Sequence, residues 1–214
     1  MSNTDNLFSP RFFHKDVTIH KKERMFKSYF AMDSYDVSYK RFDGKESPIV
    51  TRELFERDSY AVAVLAWDEK TAEIALIEQF RQGALSDPVT PWLIEIVAGI
   101  IDKGESTVQT AIREAKEEIG VNISENDLFC FKTVYPSPGC ITEKVTLYVA
   151  KTDLSHLGNH GGLESECEDI RVFKAKLSDA YEQVLHGRIN NSIAMIGILY
   201  LMHNKEEVLK HFAK

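Results

Sequence analysis

Apolar and polar positions along this chain fall into short stretches of contrasting period. Ser34 to Phe42 alternates, Asp43-Gly44 is a turn dipeptide, and Ile49 to Phe55 reads as the returning strand. Tyr60 to Trp67 and Ile74 to Gln79 are β-rich runs around a charged turn. Trp92 to Gly99 is another such run, with an unusual charge, Glu95, inside it. Leu128 to Tyr135, Val145 to Ala150 and Ile170 to Ala175 predict further strands. Helices are predicted at Ser106 to Ile119, Ser178 to His186 and through the apolar stretch Ser192 to Phe212. Leu154 to Cys167 has no period and reads as a long loop. Strands and helices mix without strict βαβ alternation, which favours an α/β (α+β) sandwich with a mixed sheet over a doubly wound one.

Residues 1–57 are rich in aromatic and basic side chains and read as a small antiparallel β module, distinct from a main domain over residues 58–214. A module of that size rarely folds alone, so its apolar face needs the rest of the chain or a second subunit. The 214 residues are 43% hydrophobic and 28% charged, which excludes collagen-like and disordered classes. A net charge of −7 argues against broad nucleic-acid binding but leaves room for a small anion gathered by a few basic residues and a metal. The longest apolar run, Ile193 to Met202, is too short to span a bilayer. Met1 to Pro10 carries no secretory pattern. Cys130, Cys140 and Cys167 form no CxxC pair and read as free thiols in a reducing compartment. These features together predict a soluble cytoplasmic protein with no membrane partner.

The predicted helix from Ser106 carries the strongest chemistry. Ser106 and Gln109 have capping-box spacing, and Gly120 sits where a left-handed residue ends a helix. At about 100° per residue, Val108, Ile112, Ala115 and Ile119 share one stripe with Ala111 beside it. Glu114 and Glu118 lie one turn apart, Glu118 next to the apolar edge, and Arg113 is one turn before Glu117. Two glutamates at that spacing repel by a few tenths of a kcal/mol even when exposed. A hard divalent cation reverses the sign, because carboxylate oxygens are its preferred ligands. Taken alone, the acidic cluster reads as a solvated face.

The wider pattern changes that balance. Gly99, Glu105, Arg113, Glu114, Glu117, Glu118 and Gly120 occupy the seven fixed positions of G-x5-E-x7-R-E-U-x-E-E-x-G-U, where U is a bulky aliphatic. Agreement by chance at a given start is about one in 10⁸ at ordinary residue frequencies. Val121 fits the last U, while Ala115 is small for the first. The chain therefore resembles the Nudix hydrolases, which implies an α/β/α sandwich and Mg²⁺-dependent hydrolysis (Mn²⁺ being the alternative ion) of a nucleoside diphosphate linked to another group. Beyond the box it resembles bacterial ADP-ribose pyrophosphatases from about Tyr29 to the C-terminal helix. The segments that carry this are RELFER (Arg52 to Arg57), LIEQFR (Leu76 to Arg81), PWLIEIVAG (Pro91 to Gly99), SPG with a following TEK (Ser137 to Lys144) and GLESECEDIRV (Gly162 to Val172). Pro138 supplies the proline that marks the subfamily after the box, with Pro136 as the alternative.

What the resemblance implies is carried position by position. Metal ligands would be the Ala98 carbonyl, Glu114, Glu118 and, from the late acidic run, Glu168. The general base would be Glu166. Glu164, Glu166, Glu168 and Asp169 otherwise read as a solvated charge run. Tyr29 and Phe30 match the family's adenine-stacking pair, with core packing as the competing reading. Arg52, Glu53, Arg57 and Arg81 match contacts to adenine, phosphate or ribose; Ile100, Ser137, Pro138, Gly139 and Glu143 match backbone and ribose contacts. Gly99, Glu105, Arg113, Glu117 and Gly120 would be structural. The substrate implied is ADP-ribose, split to AMP and ribose 5-phosphate by a domain-swapped homodimer with no nucleic-acid partner. Rival readings are a pyrophosphatase for another nucleoside-diphosphate sugar such as GDP-mannose, and a non-catalytic domain of this fold that senses a nucleotide. The seven histidines show no metal-ligand spacing.

Overall fold

The computed structural model describes residues 7–57 and 59–213. The first six residues of the stretch read as lacking a secretory pattern lie outside the described residues, as do the two end residues, Asp58 and Lys214, of the expected main domain. The chain forms two compact units, one of N-terminal residues with Ser137–Thr142, the other of Ser59–Pro136 with the chain from Glu143 onward.

The first unit is a three-stranded antiparallel sheet of β1 (Val17–Lys27), β2 (Ala31–Tyr39) and β3 (Val50–Glu56) in sequence order. The predicted hairpin corresponds to β2 and β3, and the Asp43-Gly44 turn carries Gly44 at φ 83°, a left-handed value that glycine adopts without strain. β1 has no strict alternation because two register shifts, at Ile19/Lys21 and Arg24/Phe26, interrupt its period. Phe55 pairs with Cys140 and Thr142 through backbone hydrogen bonds, which attaches the loop 137–142 to the end of β3.

The second unit is built on an eight-stranded mixed sheet. Its strands are β4 (Ala61–Asp68), β5 (Glu73–Phe80), β6 (Trp92–Glu95), β7 (Val97–Ile100), β8 (Leu128–Val134), β9 (Val145–Lys151), β10 (His160–Gly161) and β11 (Ile170–Lys176). The order is β10-β11-β5-β4-β9-β8, with β4 and β9 parallel. β4 is buried throughout because both of its faces are covered. Ala61, Ala63, Leu65 and Trp67 face one core with α2 (Leu177–Leu185) and α3 (Ser192–Phe212). Val62, Val64 and Ala66 face the other core with α1 (Thr107–Ile119). The sequence-based expectation of a helix–sheet–helix sandwich with a mixed sheet matches this arrangement.

Two expectations need correction. Trp92 to Gly99 is not one strand: β6 pairs with β5 and β7 with β4, and the chain changes partner at the buried Ile96. β4 and β5 pair only at their hairpin end, Trp67–Ile74 and Asp68–Glu73, and β6 and β7 fill the gap as they diverge. The segment Leu154 to Cys167 is not loop throughout, since β10 adds a short edge and Glu164–Glu166 forms a 3₁₀ turn. Among the described residues no helix is long and apolar enough to cross a membrane.

Candidate active site

Helix α1 begins and ends as its sequence requires. The Ser106 hydroxyl accepts from the Gln109 amide and the Gln109 side chain accepts from the Ser106 amide, a complete capping box. Gly120, at φ 69°, turns the chain out of the helix while its N–H donates to the Lys116 carbonyl. The buried face holds Ala111, Ala115 and Ile119 as expected, with Val108 and Ile112 partly buried beside them. It also holds Thr110, Glu114 and Glu118, so the acidic pair is inside the protein rather than on a solvated face.

Arg113 ties this helix to the glycine-rich turn before it. Its Nε donates to Glu105 at 3.1 Å, and Nη1 donates to Glu114 at 2.7 Å and Glu117 at 2.9 Å. Its Nη2 donates to the Ile100 carbonyl at 3.1 Å. The guanidinium holds the Glu105 carboxyl below its ordinary value. Glu105, Arg113 and Glu117, the positions for which the resemblance implies a structural role, are joined here by hydrogen bonds. Ile100, expected among the backbone and ribose contacts to substrate, has its carbonyl engaged by Arg113.

Glycine 99 explains how two carboxylates reach the sheet. A Cβ on Gly99 would stand 1.7 Å from Glu114 Oε1, so the missing side chain is the space the carboxylate occupies. One residue earlier, the Ala98 N–H donates to Glu118 Oε2 at 3.0 Å. Burial pushes the Glu118 carboxyl well above its ordinary value, with Glu114 and Glu168 adding like charge. Burial likewise pushes Glu114 up to about 7, against the pull of Arg113. An oxygen-only donor set, held largely out of water where its carboxyls resist ionisation unless a positive charge is beside them, fits a hard divalent cation. Among the described residues, no group of three or more His, Cys, Asp or Glu side chains stands ready as a complete ligand set, so Glu114, Glu118 and Glu168 would have to draw in around an ion.

The late loop reaches the helix through two glycines whose importance sequence reasoning missed. The Gly162 N–H donates to the Glu117 carbonyl at 3.1 Å, and a Cβ on Gly161 would lie 1.8 Å from the Glu118 carbonyl oxygen. The Gly-Gly pair just before the acidic run was the available signal. Of the four carboxylates there, Glu168 is half-buried, accepts from the Leu163 N–H at 3.2 Å and acts electrostatically on Glu114 and Glu118. Glu164, Glu166 and Asp169 are exposed. Arg81 is the cation that acts on Glu118 from the sheet side, and Glu95 holds it.

The other expected substrate residues divide between the units. In the first, Phe30 packs on Phe55 with ring centroids 4.8 Å apart and lies under the Arg57 guanidinium at 5.2 Å. Tyr29 meets Phe30 edge-on and is 76% exposed, so Phe30 has a packing role while the Tyr29 ring has an open face. Arg52 and Glu53 are exposed on β3. Ser137 anchors a turn, its carbonyl accepting from Cys140 and Ile141, with Pro138 and Gly139 exposed at the tip. Glu143, in the second unit, is half-buried.

Comparison with known proteins places these features in a family. A NUDIX domain model matches residues 58–187. The chain is 36% identical over 196 residues to ADP-ribose pyrophosphatase of Haemophilus influenzae, covering 90% of this chain and 89% of that protein. It is 35% identical to ADP-ribose pyrophosphatase of Escherichia coli K12 over 214 residues, 100% of both chains. A GDP-mannose pyrophosphatase of Escherichia coli O1:K1 is 36% identical over 110 residues, 51% of this chain and 55% of that one. A solved structure described as an ADP compounds hydrolase superposes with a TM-score of 0.66 at 22% identity, covering 92% of this chain and 97% of the other, a likeness of fold. With the complete box mounted on α1 and the β7 glycine, the chain belongs to the Nudix family of hydrolases.

Proposed function

We propose that this protein hydrolyses the diphosphate of ADP-ribose, giving AMP and ribose 5-phosphate. The observation that carries the reading is the similarity to proteins named ADP-ribose pyrophosphatase across 90% to 100% of the chain, against 51% for the GDP-mannose enzyme. Similarity of that extent takes in the first unit, where Tyr29, Phe30, Arg52, Glu53 and Arg57 are read as the adenosine and ribose contacts.

Glu114, Glu118, Glu168 and the Ala98 carbonyl would hold Mg²⁺ or Mn²⁺. The bound ion would supply charge neutralisation of the diphosphate and a more acidic water. Glu166 takes the proton from the water that attacks phosphorus, and the P–O–P bond breaks to leave AMP on one side and the sugar phosphate on the other. Exposure of Glu166 on a 3₁₀ turn suits a base that must meet water before it meets substrate. Arg81 offers its planar fork to phosphate oxygens. Ser137, Pro138, Gly139, Ile100 and Glu143 complete the ribose and backbone contacts in this reading.

The active form is a domain-swapped homodimer in which the first unit lends residues to the partner's site. Its support is β1, whose eleven residues are all exposed and include Val17, Ile19, Met25 and Phe26. The reaction belongs to the cytoplasm, where the exposed, free Cys130, Cys140 and Cys167 stay reduced. A metal-dependent assay across ADP-ribose, GDP-mannose, NADH and diadenosine polyphosphates tests the reading. AMP and ribose 5-phosphate from ADP-ribose at the highest kcat/KM are expected. A faster GDP-mannose reaction would move the assignment, and nucleotide binding without turnover would make the protein a sensor. Light scattering that finds a monomer at micromolar concentration would reject the dimer.

A further inference from the structure

Glu95 is the charged residue that the sequence leaves without a role. It closes β6 at the point where the chain leaves β5 for β4, it is 4% exposed, and three side chains converge on its carboxylate. Arg81 donates from Nε to Oε1 at 3.1 Å and from Nη2 to Oε2 at 2.7 Å. Asn191 Nδ2 donates to Oε1 at 3.0 Å, and Gln79 Nε2 lies 3.4 Å from Oε2. Asn191 is at the same time the N-cap of α3, its Oδ1 accepting from the Ile193 and Ala194 amides at 3.0 and 3.1 Å. The Arg81 main chain is pinned as well, its N–H donating to the Pro91 carbonyl at 2.9 Å.

A buried carboxylate with this many donors is a rigid seat for a cation. Arg81 sits in it by its Nε and Nη2 while acting electrostatically on Glu118 and Glu168. A guanidinium held in that way still presents its Nη1–Nη2 edge, the fork that matches two phosphate oxygens. An arginine on a free stem would instead fold onto the nearest carboxylate of the acidic cluster. We propose that Glu95 is a positioning residue for substrate recognition: it withholds Arg81 from the carboxylate cluster and aims its guanidinium at the diphosphate, with Asn191 coupling that aim to the start of α3. The inference rests on the reading of Arg81 as a phosphate contact.

Binding of ADP-ribose measured by calorimetry in EDTA, where turnover is stopped, tests it together with the thermal midpoint. Glu95→Gln keeps the volume and an acceptor for Asn191 but loses the charge that seats Arg81. Binding should weaken by about 10- to 100-fold, the scale of a small misplacement of a contact group. Arg81→Lys should weaken it comparably, and adding Glu95→Gln to Arg81→Lys should cost less than about threefold more, because the two act as one. Asn191→Ser, which keeps a capping hydroxyl and loses the amide donor, should produce a smaller loss in the same direction. Additive losses in the double variant, or a lowered midpoint with unchanged binding in Glu95→Gln, would overturn the proposal. Wild-type protein that neither binds ADP-ribose in EDTA nor hydrolyses it with Mg²⁺ would overturn both this inference and the substrate reading, whereas tight wild-type binding that Glu95→Gln leaves untouched would overturn this inference alone.

Discussion

Helix α1 and the loop before β11 each carry a run of carboxylates, and the chain handles the two in opposite ways. On α1 the helix itself sets position: Glu114 and Glu118, one turn apart, are 9% and 2% exposed and are fixed by the Gly99 gap and the Ala98 amide. In the loop, Glu164, Glu166 and Asp169 stay in solvent, and Glu168 is turned inward by a local bond to Leu163. The helix bears the cost of burying two carboxyls, a cost that the proposed cation would relieve. The loop keeps Glu164, Glu166 and Asp169 in solvent, where the proposed function assigns Glu166 to take a proton. Metal ligands and a proton acceptor have different requirements, and in the proposed function two kinds of backbone would meet them.

The strongest way to break this comparison is to remove a buried charge. Glu118→Gln retains an acceptor for the Ala98 amide while removing a ligand charge. Turnover at saturating Mg²⁺ should fall by about 10³-fold or more, a loss of several kcal/mol of charge stabilisation. The metal-free protein should unfold at a higher temperature, because burial already disfavours ionised Glu118. Activity near wild type would show that the helix pair is not the ligand set.

Next in size is the base. Glu166→Gln should lower kcat by about 10²-fold with KM little changed, within the usual range for general-base removal. Glu164→Gln should be close to neutral, and Glu168→Gln should act through metal affinity, with its loss partly recovered by raising Mg²⁺. If Glu164→Gln is the most damaging of the three, the base is misassigned within the loop.

These predictions differ in how directly the sequence supports them, and the reason is physical. The capping box at Ser106 and Gln109, the Gly120 stop and the spacing of Glu114 and Glu118 follow from a period that any helix must obey, and the structure reproduces each. The sandwich was legible because strands and helices mix along the chain without strict βαβ alternation and because the box at α1 resembles the Nudix pattern. The division at Ile96 was not, since local pattern cannot say which neighbour a strand pairs with. Nor was the seat for Arg81: Glu95 stood out as a charge in an apolar run, but Asn191 is 96 residues away along the chain. The loop glycines escaped notice because their constraint is a close approach to another element, not a local turn.

A smaller effect should come from the loop's attachment. Gly161→Ala places a Cβ 1.8 Å from the Glu118 carbonyl oxygen, a backbone atom that cannot rotate away. Shifting the loop to relieve that clash should cost about 1–3 kcal/mol, or several degrees in thermal midpoint for a domain of this size. Since the same shift moves Glu166 and Glu168 relative to α1, kcat should fall as well. A lowered midpoint with full activity would mean that the loop carboxylates work without this docking, and the contrast between fixed helix and docked loop would fail.

The finest test is the pH dependence of stability without metal, and its sign is set by the buried pair on α1. Glu114 has a folded pKa of about 7 against an ordinary 4.5, so between those values the folded protein holds a proton that the unfolded chain releases. The stability this contributes is fully present below about 4.5 and is lost as pH rises through about 7. Glu118 is displaced in the same direction and adds to the slope. In EDTA the thermal midpoint should therefore fall from pH 5 to pH 8, and Glu114→Gln should flatten that fall. Glu105, held down by Arg113, has the opposite sign, but its stabilisation is lost only as pH drops below the ordinary carboxylate range and does not intrude on this window. Saturating Mg²⁺ should raise the midpoint more at pH 8 than at pH 5, because a cation competes with the proton for the same oxygens. A midpoint in EDTA that stays flat or rises between pH 5 and pH 8 in wild type, with no change on Glu114→Gln, would mean that burial does not hold a proton on the helix carboxylates.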